Sequence, residues 1–382
     1  MTVAIPSLNK SGLSLPVGQL YFPSKSEYDE ILEGIFERRY FTNHGPSAYE
    51  FEYELADFLN VKHVILTTNA TIALAMMLKS AGIEGEVIVP SFTFVATVFA
   101  IKWAGCTPIF ADIDENSHHI NASRIQEKIS ENTKAILVPN LWGDTADIRE
   151  LEALSKSTGV SLFFDSAQAF GCEYRGKRLG SYGKAEVFSF HATKILSAGE
   201  GGCVATNDDL LASKLRNMRS SYGAGKFAEV PLTSNARFSE LQAEIGRWSL
   251  RHFARIVDNN RYLSHLYVAE LDGVPGFKIR EIQNASFSNS TYLIAEVNRE
   301  EFGVGRDNVL KHLFNHGVNA RRYFAPGIHR MKVMTDNANE PVSLPATEAL
   351  SDRVIQLPLG SSVHEEDISR IGNLVRQSRS AF

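Results

Sequence analysis

The sequence predicts an α/β fold, with a large domain on a mostly parallel sheet and a smaller α+β domain after it. Between Val61 and Asp208, seven short runs rich in β-branched and aromatic residues alternate with amphipathic stretches of helical length. Strands of that length separated by helices favour βαβ units and a parallel sheet. From about Leu241 the texture changes to a long helical run followed by mixed elements. A boundary follows: residues 1–250 form the large domain with an N-terminal arm, and residues 251–382 the smaller one.

The first 25 residues are rich in Pro, Ser and Gly and read as an arm on the surface. SEYDEILEGIFERRY and AYEFEYELADFLN then carry helical patterns, separated by TNHGPS, whose Asn43, Gly45 and Pro46 punctuate the chain. The strand candidates are HVILTT, EVIVP, PIFADI, KAILVP, SLFFD, EVFSF and CVATN. Between them, TIALAMMLKSAG, FVATVFAIKWAG and DIRELEALSKSTG read as helices; Gly82 and Gly105 stand where a left-handed cap is expected. The run from Glu240 to Leu271 reads as one long connecting helix. A strand in STYLIAEV, a helix in RDNVLKHLFNHG, a loop around ARRYFAPGIH and a last helix in HEEDISRIGNLVRQSRS complete the smaller domain.

Composition narrows the function classes. Of 382 residues, 44% are hydrophobic and 22% charged, an ordinary globular balance. The net charge of −5 argues against a protein held by nucleic-acid phosphates, which needs concentrated Lys and Arg. Cys106, Cys172 and Cys203 are odd in number and widely spaced, so neither a disulfide framework nor a zinc site is suggested and no metal is expected. MTVAIPSLNKSGLSLP lacks the basic start and apolar run of a signal peptide. No stretch reaches the length of a membrane helix. These features lead us to expect a cytoplasmic protein with no membrane and no nucleic-acid partner.

The chemistry concentrates between Phe163 and Asn207. Asp165 closes the apolar run SLFFD; Lys194 follows EVFSF, and the Gly-rich turn GEGG comes next. A lone lysine is usually a solvated charge, but this one sits between a buried-looking strand and a tight turn. TTNATIAL places Asn69, Ala70 and Thr71 at a strand-to-helix junction, either an ordinary N-cap or an anion site.

Taken together, DSAQAFG, FSFHATK, GEGG, TTNATIAL, PSFTFVAT and SNARFSELQAEIG resemble the DegT/DnrJ/EryC1/StrS family of sugar aminotransferases, in the family's order and over nearly the whole chain. The resemblance implies a fold-type I aminotransferase that uses pyridoxal 5'-phosphate. By that resemblance, Lys194 forms the Schiff base, Asp165 holds the pyridine nitrogen protonated, and Gln168 lies near the 3-hydroxyl. Asn69, Ala70, Thr71 and Ser189 face the phosphate, Phe94 stacks on the ring, and Asn235 reaches the phosphate of a partner subunit. A homodimer with shared active sites is implied. Arg237, Tyr323 and His329 are the expected substrate residues, although Ala325 departs from the family's pattern in that loop.

FTNHGPS and the HATK form of the lysine motif are most similar to enzymes acting on dTDP-4-keto-6-deoxyhexoses. The expected reaction passes an amino group from an amino acid, L-glutamate, to such a nucleotide-linked keto sugar. Alternatives are a 3-keto-sugar aminotransferase, a dehydratase on the same fold, and a non-enzymatic regulator. Lys194 argues against the dehydratases, which carry histidine there. Lys194, Asp165, Gln168, Ser189 and Asn235 together argue against a retired enzyme.

Overall fold

The computed structural model describes residues 15–18, 21–222, 226–335 and 342–381. Most of the expected surface arm lies outside the described residues. Where it is described, it is tied in: Leu15 exchanges backbone hydrogen bonds of 2.9 Å with Gly317 and Asn319, and Val17 is buried.

Helix α1 (Lys25–Arg38) starts on a capping box between Ser24 and Glu27. Helix α2 (Pro46–Leu59) starts with Pro in its first turn, where a missing N–H costs nothing. Between them Asn43 and His44 adopt positive φ, so the punctuating TNHGPS is a turn as expected. The chain then runs through β1 (His63–Thr67), α3 (Ala70–Ser80), β2 (Glu86–Pro90), α4 (Val95–Trp103), β3 (Thr107–Ala111), α5 (Ala122–Gln126) and β4 (Thr133–Pro139). It continues through α6 (Ile148–Thr158), β5 (Ser161–Asp165), a ribbon of β6 (Glu173–Tyr174) and β7 (Lys177–Arg178), β8 (Ala185–Ser189), β9 (Gly202–Thr206) and α7 (Asp209–Arg219). Gly82 and Gly105 follow α3 and α4 with φ of 71° and 79°.

The sheet order is β1-β9-β8-β5-β4-β2-β3. Pairs from β8 through β5, β4 and β2 to β3 are parallel; β9 runs antiparallel to both its neighbours. Side chains alternate between two apolar layers. Val64, Leu66, Ile136 and Val138 join one, and Ile65, Ala135 and Leu137 the other. Burial on both faces is why these strands read as unbroken apolar runs.

The single helix expected from Glu240 to Leu271 is two: α8 (Glu240–Arg251) and α9 (Phe253–Leu271). His252 at the joint turns its ring back, with Nδ1 2.8 Å from the Trp248 carbonyl and the ring stacked on Trp248 at 4.2 Å. A helical period shows no break of this kind, because the residues on both sides keep their apolar faces.

The rest of the chain adds β10 (Phe277–Ile279), β11 (Leu293–Val297), α10 (Arg299–Phe302), α11 (Arg306–Asn315), β12 (Arg321–Arg322), α12 (Lys332–Thr335), α13 (Pro345–Arg353), β13 (Val354–Leu357) and α14 (Glu365–Ser378). The four strands form an antiparallel sheet of order β10-β11-β13-β12. Its own core includes Tyr267, Ala295, Val309, Leu313, Ile355 and Ile371. The sequence reading placed no element between the ARRYFAPGIH loop and the last helix, so α13 and β13 are additions. So are α7 and strands β6, β7, β10 and β12.

The two sheets are tied through Asp144, in the loop after β4. Its fully buried carboxylate accepts Arg280 Nη2 at 2.8 Å and the backbone N–H groups of Gln283, Asn284 and Ala285 at 2.9–3.0 Å. Burial opposes the charge, but His119, Arg280 and the Gln283 N–H outweigh it and hold this carboxyl at about 2. Arg280 is only 4% exposed. Arg280→Met would strand a buried carboxylate, and breaking such a pair costs about 3–5 kcal/mol. We expect a large loss of stability in denaturant unfolding, whereas the same change at exposed Arg124 should fall within about 0.5 kcal/mol of wild type.

Candidate active site

The site lies at the carboxyl ends of the parallel strands, where open α/β sheets gather their ligands. Asp165 ends β5 and pairs in register with Val187 of β8; Ser189 ends β8 two residues on. Ser189 pairs with Gly202 of β9, and Gly202 pairs with Thr67 at the end of β1. The register therefore sets Ser189, Gly202 and Thr67 side by side, and α3 starts immediately after Thr67 and Thr68.

Gly202 is required by a close approach. A Cβ there would stand 2.6 Å from the Ala70 nitrogen, so only glycine lets the start of α3 settle on β9. Asn69 caps α3: its Oδ1 accepts from Ile72 N at 2.9 Å, and its carbonyl accepts from Ala73. Ala70 and Thr71 form the first turn, whose N–H groups lack carbonyl partners within the helix. This helix start and the Ser189 hydroxyl suit a phosphate.

Asp165 is 7% exposed. Burial raises its pKa above the usual carboxylate range, opposed by the Thr97 hydroxyl, the Ala167 N–H and the charge of Lys194. Thr97 donates at 2.7 Å and Ala167 N at 3.2 Å. Thr97 was missed by the sequence reading, where it is one polar residue in an apolar helix. Its place one turn into α4 is what aims its hydroxyl at β5.

Lys194 follows β8 in a turn closed by its own N–H on the His191 carbonyl at 2.8 Å. Burial lowers its pKa from the usual lysine range; Tyr323 and Asp165 act in the opposite direction. Its Nζ donates to the Tyr292 hydroxyl at 2.7 Å. Tyr292 immediately precedes β11 of the second sheet. STYLIAEV signalled a strand but nothing of chemistry, so this residue too was missed. Trp142, Tyr323 and Phe324 gather beside it: Trp142 meets Tyr292 and Tyr323 edge-on at 5.8 and 5.3 Å and stacks with Phe324 at 5.4 Å.

The remaining expected residues divide. Gln168 is buried, and its Oε1 accepts from Trp142 N at 2.9 Å. Phe94 stands at the start of α4 with its ring 55% exposed, so it is no core residue. Asn235 is exposed on an extended segment whose neighbour Ala236 accepts from Thr68 N at 3.2 Å, beside the start of α3. Neither Asn235 nor Arg237 caps α8, because Ser239 does so in a capping box with Gln242. Tyr323 joins the lysine. His329 does not: its ring is buried, with Nδ1 2.6 Å from Ser91 Oγ and Nε2 3.2 Å from Glu348. Both ring nitrogens are engaged inside the protein, so its place is to anchor the 323–330 loop.

A buried amine, a buried carboxyl, a helix start with an adjacent serine and an exposed aromatic ring fit pyridoxal 5'-phosphate: an amine for its aldehyde, an acid for its ring nitrogen, donors for its phosphate. Among the described residues, no helix is long and apolar enough to cross a membrane, and no cluster of His, Cys, Asp or Glu could hold a metal.

Residues 24–376 match the model of the DegT/DnrJ/EryC1/StrS aminotransferase family. GDP-perosamine synthase of Vibrio cholerae is 32% identical over 362 residues, covering 91% of this chain and 97% of that protein. The dTDP-4-amino-4,6-dideoxy-D-glucose transaminase of Escherichia coli is 29% identical over 366 residues, covering 95% and 98%. The crystal structure of DesI in the presence of its TDP-sugar product superimposes with a TM-score of 0.91 at 35% identity, over 97% of this chain and 94% of that one. The chain belongs to the DegT/DnrJ/EryC1/StrS aminotransferase family and is a pyridoxal-phosphate-dependent sugar aminotransferase.

Proposed function

We propose that the enzyme transfers the amino group of L-glutamate to C-4 of a dTDP-4-keto-6-deoxyhexose, giving a 4-amino-4,6-dideoxy sugar nucleotide. The observation that carries amino transfer is the buried Lys194 amine within the electrostatic reach of the buried Asp165 carboxyl, at the carboxyl ends of the central strands β8 and β5. The choice of C-4 is supported by the E. coli relative, named for a 4-amino-4,6-dideoxy sugar. We also propose residues 1–250 as the cofactor-binding domain and 251–382 as the domain that closes the site.

When bound, pyridoxal 5'-phosphate supplies an aldehyde that captures amines and a ring that takes up electrons. Lys194 would hold it covalently and, as a free amine, would be the group that takes up and gives back the proton. Burial favours this by bringing the amine's pKa toward neutrality, where it can both take and give the proton. Asp165 keeps the ring nitrogen protonated, with Thr97 holding the carboxylate form. The first turn at Ala70 and Thr71, capped by Asn69, and the Ser189 hydroxyl bind phosphate. Phe94 would stack on the ring, and Gln168 would face its 3-hydroxyl. Arg237 and Tyr323 contact the sugar nucleotide, and His329 sets the loop that carries Tyr323.

A homodimer with shared sites completes the proposal. On and around α1 and α2, Phe36, Phe41, Tyr49 and Tyr53 are exposed, Tyr53 by 73%. An exposed aromatic patch of this kind supports a subunit interface. Asn235, exposed beside the start of α3, would reach across it to the partner's phosphate site.

Incubation with glutamate and a panel of 3-keto and 4-keto sugar nucleotides should give a product aminated at C-4, identified by mass spectrometry and NMR; amination at C-3 would refute the regiochemistry. Asp165→Asn should retain cofactor and lose roughly 10²–10³-fold in turnover, since a neutral amide cannot hold the ring proton. Wild-type turnover in that variant would remove Asp165 from its role. Asn235→Ala should weaken cofactor affinity by about ten- to a hundredfold, the worth of a hydrogen bond to a charged acceptor. Mixing it with inactive Lys194→Ala protein should restore partial activity, because some mixed dimers hold one site with both residues intact. No recovery after demonstrated subunit exchange would reject the shared site.

A further inference from the structure

Tyr292 lies outside every motif that identified the site, yet its hydroxyl is the hydrogen-bond partner of the Lys194 amine, at 2.7 Å. The two residues are 98 positions apart: Lys194 lies in the turn after β8 of the first sheet, and Tyr292 immediately precedes β11 of the second. The segment before Tyr292 is fixed to the cofactor-site loop. Asn289, fully buried, donates to the carbonyls of Gln168 and Phe170 at 3.2 and 3.0 Å, and its Oδ1 accepts from Thr291 N and Oγ1 at 3.0 and 2.7 Å. The Tyr292 ring is braced edge-on against Trp142. Its hydroxyl is thus set in place relative to Gln168 before it meets the lysine.

We propose that Tyr292 is a positioning residue for Lys194, holding the amine in one place whenever it is not covalently engaged. The proposal rests on Lys194 being the covalent and proton-moving residue. A phenol suits this work better than other groups. It accepts a hydrogen bond from an ammonium and donates one to a free amine, so Lys194 keeps a partner in both protonation states. Burial pushes the Tyr292 phenol up, so it remains neutral through the working range. A carboxylate in its place would fix the lysine as ammonium, and an apolar side chain would leave it free to swing. The proton balance is simple. Lys194 takes a proton from one carbon and returns it to another, and the Tyr292 O–H bond ends as it began.

Tyr292→Phe tests this, because it keeps the ring and its contact with Trp142 and removes only the hydroxyl. In apoprotein, the pH dependence of acylation at Lys194, followed by peptide mapping, reads the amine without cofactor. Of the two hydrogen bonds the one to the ammonium is the stronger, so removing the hydroxyl costs the charged form more and should lower the pH of half-labelling, by about one unit or less. An unchanged curve would overturn the proposal. In holoenzyme, rapid mixing with an amino donor deuterated at Cα should show a half-reaction slowed about ten- to a hundredfold, the cost of a misplaced reacting group. The isotope effect should rise, with the donor's apparent dissociation constant unchanged. Borohydride reduction of both proteins separates the two layers of the argument. Label on Lys194 with a wild-type half-reaction in the variant would overturn the role of Tyr292 alone; label on another lysine would overturn the Lys194 assignment and this proposal with it.

Discussion

One buried carboxylate, Asp144, ties the loop after β4 of the first sheet to the segment that leads into the second. Four donors from residues 280–285 converge on it, one guanidinium and three backbone N–H groups. A charge at that depth tolerates little slack, since every lost donor would expose an ion to a low-dielectric interior. The geometry it enforces reaches the site. Tyr292 and Tyr323 flank strands β11 and β12 of the second sheet, while Asp165 closes the central strand β5 of the first and Lys194 follows β8 beside it. The aromatic cluster of Trp142, Tyr323 and Phe324 begins two residues before Asp144 in sequence, so the same loop that anchors the joint also packs against Tyr292, the partner of Lys194.

Within that frame, burial does opposite things to the two ionisable groups at the centre. It pushes the Lys194 ammonium down and the Asp165 carboxyl up, while each charge eases the penalty on the other. The protein adds one neutral hydroxyl to each: Thr97 on the acid, Tyr292 on the amine. Thr97 donates to the acid and so favours its charged form, whereas the Tyr292 hydroxyl accepts from the amine and carries no charge of its own.

The first sheet was legible because its strands are buried on both faces and separated by amphipathic helices with glycine stops; all seven runs became strands, two of them unchanged and the rest with ends shifted by a residue or two. The motif residues Asp165, Ser189 and Lys194 stood out for a related reason: each closes or follows an apolar run. Other features carried no local signal. The break at His252 lies within an uninterrupted helical period, and β13 is four residues that follow directly on α13. Tyr292 and Thr97 act across long separations through a single hydroxyl, which no periodicity marks. His329 showed the converse. A histidine in a loop near the expected substrate reads as a contact residue, but Ser91 and Glu348 already occupy its ring.

The antiparallel strand β9 has a consequence for synthesis of the chain. Among the described residues β1 has a single sheet neighbour, β9, with His63 opposite Thr206. The first strand to leave the ribosome must therefore wait 143 residues (206 − 63) for its partner. At about 5–20 residues per second that is roughly 7–30 s. Throughout that interval the start of α3 has no Gly202 to rest on. The apolar Val64–Leu66 segment stays uncovered on its sheet edge, which makes it the place where a trigger factor or other nascent-chain chaperone has most to shield. The junction from β1 into α3 is thus the last feature of the first sheet to close, and an arrest of translation before residue 202 leaves a chain with Lys194 made and the start of α3 without its seat on β9.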